Sequence, residues 1–218
     1  YTDYREVLDL PNVDAVQIAT PHYNHAEIAI AALKAGKDVL TEKPMAISVP
    51  DMEAMIRTAE DSNRILGVIF QNRYNDASQA VKQVIEEGKL GSIKGTRAIV
   101  TWRRTDEYYS ESPWKGTWDK EGGGVLIDQA IHTIDLMQWL VGDVDYLEAR
   151  YDTRAHELID VDDVADAHIV FKNGAIGCLY ANCNYSYDAP IFLEIHGEKG
   201  IAHIIGDRAV VTIGNKTI

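Results

Sequence analysis

Between Asp14 and Phe70 short apolar runs alternate with helical stretches, and that alternation constrains the fold more than any other feature. Asp14–Thr20, Asp38–Thr41 and Ile65–Phe70 read as strands, the first of them buried. Asn24 is placed to cap the helix after the first strand, with Glu27 answering three residues later as in a capping box. That helix continues through Ile28, Ala32 and Leu33 and stops at Gly36. Ser48 caps a second helix, with Pro50 tolerated in its first turn and Met52, Met55, Ile56 and Ala59 as its apolar stripe. Strands alternating with helices imply βαβ units and a parallel sheet. Residues Asp3 to Leu8 resemble a helix end, and the first residue is Tyr1 rather than Met, so further sequence is expected upstream.

The texture changes after Gln71. A helix is predicted from Ala77 to Glu87, stopping at Gly88, and a long strand from Ile93 to Trp102. A loop of about 20 residues follows, longer than most connections and therefore suspected of function. One continuous helix is predicted from about Leu126 to Leu140, ending at Gly142. Beyond it the chain is strand-like. Asn173-Gly174, between Val164–Lys172 and Ala175–Cys183, predicts a hairpin with a type I′ turn. Shorter strands are predicted at Phe192–His196, Ala202–Ile205 and Ala209–Ile213. The fold class is α/β plus α+β. A partial Rossmann parallel sheet over residues 1–71 precedes an α+β domain with an open, mainly antiparallel sheet over residues 72–218.

Composition narrows the partners. The formal net charge is -13, which argues against a nucleic-acid partner, since duplex binding needs clustered Lys and Arg. No apolar run approaches a membrane span and no signal peptide opens the chain, so a cytoplasmic protein is expected. Cys178 and Cys183, five apart, should face opposite sides of a strand and read as two reduced core residues.

Four clusters can carry chemistry. Lys43, in Glu42-Lys43-Pro44, directly follows a strand of the parallel sheet, where ligands bind in such folds. It can donate to a substrate oxygen, or be a surface lysine paired with Glu42. Asp128 and His132 stand four apart, so on a helix they share a face. Histidine suits proton transfer near neutral pH, while a surface pair or two metal ligands are the alternatives. No further ligands at suitable spacing support a metal. Thr20-Pro21-His22-Tyr23-Asn24-His25 forms a turn that can receive a polar ligand or simply cap a helix, leaving His22 and His25 exposed. The long loop carries Trp102, Arg103, Arg104, Tyr108, Tyr109, Trp114, Lys115 and Trp118, which suits a polyhydroxyl ligand or self-packing. Gly122-Gly123-Gly124 lacks phosphate-loop spacing and reads instead as a close backbone approach.

In order, these pieces resemble the glucose–fructose oxidoreductase / inositol dehydrogenase (Gfo/Idh/MocA) family. The carrying segments are VDAVQIATPHYNHAEIAIAALKAGKDVLTEKPMA and EGGGVLIDQAIHTIDLMQWLVG. The resemblance implies a Rossmann domain and then a substrate-binding, dimerising α+β domain. It implies NAD or NADP as cofactor, and hydride transfer to or from a secondary alcohol of a sugar, cyclitol or sugar derivative. Lys43, Asp128 and His132 are then catalytic, with His132 as acid/base and Lys43 stabilising the oxygen. Their convergence would bring Lys43 and His132 within roughly 4–8 Å. Thr20, Pro21, Asn24, His25, Glu42 and Lys43 line the cofactor, and Arg73, Trp102, Arg104, Tyr108 and Trp118 contact the substrate. The partners implied are a small polyhydroxylated substrate and further copies of the chain, as a dimer or tetramer through the C-terminal sheet. The family's N-terminal glycine-rich strand–loop and its C-terminal return are not in the sequence, so a truncated chain is expected. Two other activities stay open: NAD-dependent glycoside hydrolysis, and cofactor sensing by a non-catalytic regulator.

Overall fold

A computed structural model describes residues 1–217 and divides the chain into two units. One comprises Tyr1–Phe70 with Trp114–Gly123, the other Gln71–Pro113 with Gly124 onward.

In the first unit, α1 (Tyr4–Leu8) leads into β1 (Ala15–Ile18), α2 (His25–Lys34), β2 (Asp38–Thr41), α3 (Val49–Ser62) and β3 (Leu66–Val68). The three strands pair in parallel in the order β1-β2-β3. Their core is Ile18, Ala29, Leu33, Val39, Met55 and Ala59, which join α2 and α3 to one face of the sheet. Leu33 and Met55 are fully buried, and removing each from water contributes roughly 1.5–3 kcal/mol. β1 is less buried than the sequence suggests: Ala15 and Gln17 are exposed and only Ile18 is buried. On the apolar stripe of α3, Met55 and Ala59 are buried but Ile56 is exposed.

Helix ends follow local chemistry in α3 and depart from it in α2. The Ser48 hydroxyl accepts from the Asp51 N–H at 3.2 Å, and Pro50 sits in the first turn. Asn24 makes no side-chain cap bond, because it already lies in helical geometry at the end of a 3-10 turn (His22–Asn24). Glu27, the expected partner in a capping box, instead accepts from the Tyr4 hydroxyl at 2.8 Å and pairs with Arg5. Tertiary partners outbid the local box.

The second unit has α4 (Asp76–Glu86), β4 (Ile93–Thr101), α5 (Asp106–Ser110), a π-turn (Val125–Gln129) and α6 (Ile131–Val141). Then come β5 (Val144–Asp152), β6 (Val164–Phe171), β7 (Ile176–Asn182), β8 (Phe192–Gly197), β9 (Gly200–Ile205), β10 (Arg208–Ile213) and β11 (Lys216–Thr217). Eight strands form one sheet in the order β11-β10-β9-β8-β4-β7-β6-β5. Within this sheet, among the described strands, only the β4–β7 pair is parallel. Alternation sends Ala98, Ile169, Phe171, Leu179, Leu193 and Ile195 into a core with Leu136, Met137 and Leu140 of α6 and Val81 of α4. Arg97, His168, Cys178 and Glu194 stand opposite one another on the outward face. Cys178 is therefore exposed, and only Cys183 is a core thiol; both are free.

The β6–β7 hairpin forms where expected but with a different turn. Gly174 N–H reaches Phe171 O, Phe171 N–H reaches Ala175 O, and Gly174 alone takes a positive φ of 84°. That is a type I turn closed by a glycine bulge rather than type I′, which would need Asn173 at positive φ as well.

Candidate active site

In the first unit the candidate residues gather at the carboxyl ends of β1 and β2. His25 joins those ends. Its Nδ1 lies 2.7 Å from the Pro44 carbonyl and its Nε2 lies 2.8 Å from the Thr20 carbonyl. The ring is completely buried and His22 nearly so, which rules out the alternative in which both are simply exposed. His22 Nδ1 donates to the Glu121 carbonyl at 2.9 Å, and its ring packs on Trp114 at 4.6 Å. The segment Trp114–Gly123 thus docks on the turn after β1. Glu42 and Lys43 are half-buried, and the Lys43–Pro44 peptide is cis. Thr20 is exposed, Pro21 and Asn24 are half-buried, and Trp118 is 48% exposed.

In the second unit the structure groups Trp102, Arg104, Tyr108 and Asp128. The Arg104 guanidinium lies 5.1 Å from the Trp102 ring and 5.2 Å from the Tyr108 ring. The Tyr108 hydroxyl donates to Asp128 Oδ2 at 2.8 Å, as does the Gln129 amide at 2.8 Å. Trp102 Nε1 donates to the Ala189 carbonyl at 3.1 Å, and Arg104 also pairs with Asp188. Arg73 is bound to α6. It grips Asp135 with two nitrogens at 2.7 and 2.5 Å, and that bond raises its pKa above the ordinary arginine value despite partial burial.

The predicted continuous helix is interrupted. Asp128 lies in the π-turn and His132 in the first turn of α6, with Ala130 between the two segments. The simple four-residue face does not apply across that junction. Single π-turns of this kind recur at functional sites.

Gly124 makes the close approach expected of the triple glycine. A Cβ there would lie 2.0 Å from the Asp162 carbonyl oxygen, so only glycine fits. Asp162 is one residue that inspection of the sequence missed. Its carboxylate accepts from Gly124 N–H at 2.8 Å and Leu126 N–H at 2.9 Å. Burial pushes its pKa above the ordinary carboxylate value, and the Leu126 and Gly124 amides offset this only in part. Asp163 behaves oppositely. Burial pushes it up, but the N–H groups of Arg154, Ala155 and His156 and the His156 ring prevail, and its pKa falls. Two carboxylates between Val161 and Val164, at a strand entrance, are the signal that marks them: acidic side chains enter such places only when well bonded.

An open groove of about 740 Å³ lies elsewhere, lined by Arg150, Tyr151, Asp166, Tyr180 and Asn182, and holds none of the candidate residues. Among the described residues there is no group of three or more His, Cys, Asp or Glu side chains able to hold a metal, and no helix long and apolar enough to cross a membrane.

A parallel three-stranded α/β unit followed by an α+β unit with an open eight-stranded sheet is the layout of a Rossmann-type oxidoreductase chain. Residues 1–70 match the family model described as the oxidoreductase family with NAD-binding Rossmann fold, and residues 78–203 match the GFO/IDH/MocA C-terminal domain. The chain belongs to the GFO/IDH/MocA oxidoreductase family. It is similar to levoglucosan dehydrogenase from Pseudarthrobacter phenanthrenivorans, at 33% identity over 91% of this chain and 57% of the relative. It is similar to myo-inositol 2-dehydrogenase from Thermotoga maritima, at 31% identity over 92% of this chain and 59% of the relative. Among solved structures, levoglucosan dehydrogenase with NADH and levoglucosan superposes with a TM-score of 0.93 at 32% identity. That alignment covers 100% of this chain and 64% of the other. The WlbA dehydrogenase of Bordetella pertussis with NADH and UDP-GlcNAcA superposes at 0.90 with 34% identity, over 95% of this chain and 60% of the other. The chain therefore spans less than two thirds of the length of these relatives.

Proposed function

We propose that the protein is an NAD- or NADP-dependent oxidoreductase that moves a hydride between nicotinamide and a secondary alcohol of a sugar, cyclitol or sugar derivative. The observation that carries this reading is the intact pair of motifs: Lys43 directly after β2, and Asp128 and His132 at the π-turn and the start of α6. The similar proteins support the substrate class, since levoglucosan and inositol are both polyhydroxylated rings.

In this reading the first unit holds the dinucleotide, with Thr20, Pro21, Asn24, Glu42 and Lys43 against it. His25 has a supporting part, because both its nitrogens already face backbone carbonyls. His132 removes the hydroxyl proton as hydride leaves the same carbon, and Lys43 stabilises the oxygen as it becomes a carbonyl. Asp128, held by Tyr108, positions His132 or binds a neighbouring hydroxyl. Trp102 and Arg104 offer an aromatic face and a forked donor to substrate, and Trp118 a further aromatic face. Arg73 reaches substrate only beyond its grip on Asp135. The outward sheet face joins copies of the chain.

A panel of cyclitols, sugars and anhydrosugars with NAD⁺ or NADP⁺, followed by reduced-nicotinamide absorbance, tests the proposal. Reduction of cofactor with at least one polyol is the expected result. Sugar release from glycosides without net cofactor change, or no turnover of any polyol, would overturn it.

A further inference from the structure

We infer that Asp162 is a positioning residue that sets the geometry of the Asp128–His132 segment, with Asp163 fixing the same segment by a second route. This rests on the functional reading above and adds to it two residues not otherwise assigned a role.

A helical segment begins with N–H groups that have no partner of their own. Here three consecutive ones converge on a single residue. Gly124 N–H donates to Asp162 Oδ1, Val125 N–H to the Asp162 carbonyl, and Leu126 N–H to Asp162 Oδ2, all at 2.8–2.9 Å. The π-turn held in this way carries Asp128 and leads through Ala130 into His132. Gly124 permits the approach, because any side chain would overlap the Asp162 carbonyl.

The second route starts at the next residue. Asp163 accepts from the backbone N–H groups of Arg154, Ala155 and His156 and from His156 Nδ1. The other ring nitrogen of His156 donates to the Arg104 carbonyl at 2.8 Å. The Arg104 guanidinium stacks near Tyr108, whose hydroxyl holds Asp128. Both routes therefore end on Asp128, one through its backbone and one through its carboxylate.

Burial and the neighbouring Asp163 disfavour the charged form of Asp162, and the Leu126 and Gly124 amides offset this only in part. Groups that orient metal ligands from behind typically change activity about 10–100-fold when altered, and an effect of the same order is expected here.

The test compares Asp162→Asn, Tyr108→Phe and His132→Ala in the intact protein, reading kcat, KM for each substrate, the pH profile of kcat and the thermal midpoint. Asp162→Asn should fold, keep KM for the dinucleotide within about twofold, lower kcat by roughly tenfold or more, and move the midpoint of the pH profile. Tyr108→Phe, which removes one hydroxyl from the second route, should move the same midpoint even where Asp162→Asn fails to fold. A folded Asp162→Asn protein with wild-type kcat and pH profile would overturn the inference, as would an unshifted profile in Tyr108→Phe when Asp162→Asn does not fold. Wild-type turnover in His132→Ala would instead overturn the functional reading beneath it.

Discussion

Replacing Gly124 with alanine sets a methyl carbon against the Asp162 backbone. The new atom would lie 2.0 Å from the Asp162 carbonyl oxygen and 2.9 Å from its carbonyl carbon and from Val161 Cγ2. Ordinary contact begins at 3.4 Å, so the two backbones must part by about 1.4 Å, the difference between 3.4 and 2.0 Å. Neither side can yield by rotating a side chain. A shift of that size carries the Gly124 and Leu126 amides out of range of the Asp162 carboxylate. Overpacking costs about 1–3 kcal/mol, and each bond to a charged acceptor about 1.5–3 kcal/mol. With partial relaxation the total is roughly 3–6 kcal/mol, a large share of the 5–15 kcal/mol that holds a domain. Urea unfolding followed by far-ultraviolet circular dichroism measures it. Gly88→Ala is the control: Gly88 has φ 67° with nothing within 4 Å of an added Cβ, so only the left-handed conformation costs, about 1–2 kcal/mol. If Gly124→Ala costs no more than Gly88→Ala, the packing argument for the π-turn is wrong.

Asp163 has its pKa lowered in the fold, so the stability it contributes is complete above the unfolded carboxylate value, near 3.8, and is lost as pH falls through the lower folded value. Asp163→Asn should therefore be less stable at neutral pH by about 1–3 kcal/mol and show a shallower loss below about pH 4, measured as urea midpoints across pH. Burial pushes the Cys183 thiol up to about 11, so iodoacetamide at mildly alkaline pH should spare it until the protein unfolds. Cys178, on the outward sheet face, should react fast in the free chain and slowly where copies associate through that face; equal rates at all protein concentrations would count against association there.

What the sequence discloses and what it hides divide along physical lines. Strand and helix identities are set by local period and caps, so β2, α3, α4 and the β6–β7 hairpin follow from the residues alone. Lys43 and the Asp128–His132 pair stand out as candidates because their motifs are contiguous. The failures share a cause: a distant partner overrides a local preference. Glu27 abandons the Asn24 cap for Tyr4 and Arg5. The π-turn that breaks the predicted helix depends on Asp162, 36 residues beyond Leu126, which no window along the helix contains. The type I turn at Asn173-Gly174 shows the same limit on a smaller scale, since the dipeptide permits either geometry and the closing bulge selects one.

The most direct test of the central claim is the turnover number with a polyol the protein oxidises, for wild type, Lys43→Met and His132→Ala. If Lys43 stabilises the forming carbonyl oxygen and His132 takes the hydroxyl proton, each substitution lowers kcat by about 10²–10⁴-fold with little change in KM. Wild-type kcat in both variants would contradict the account.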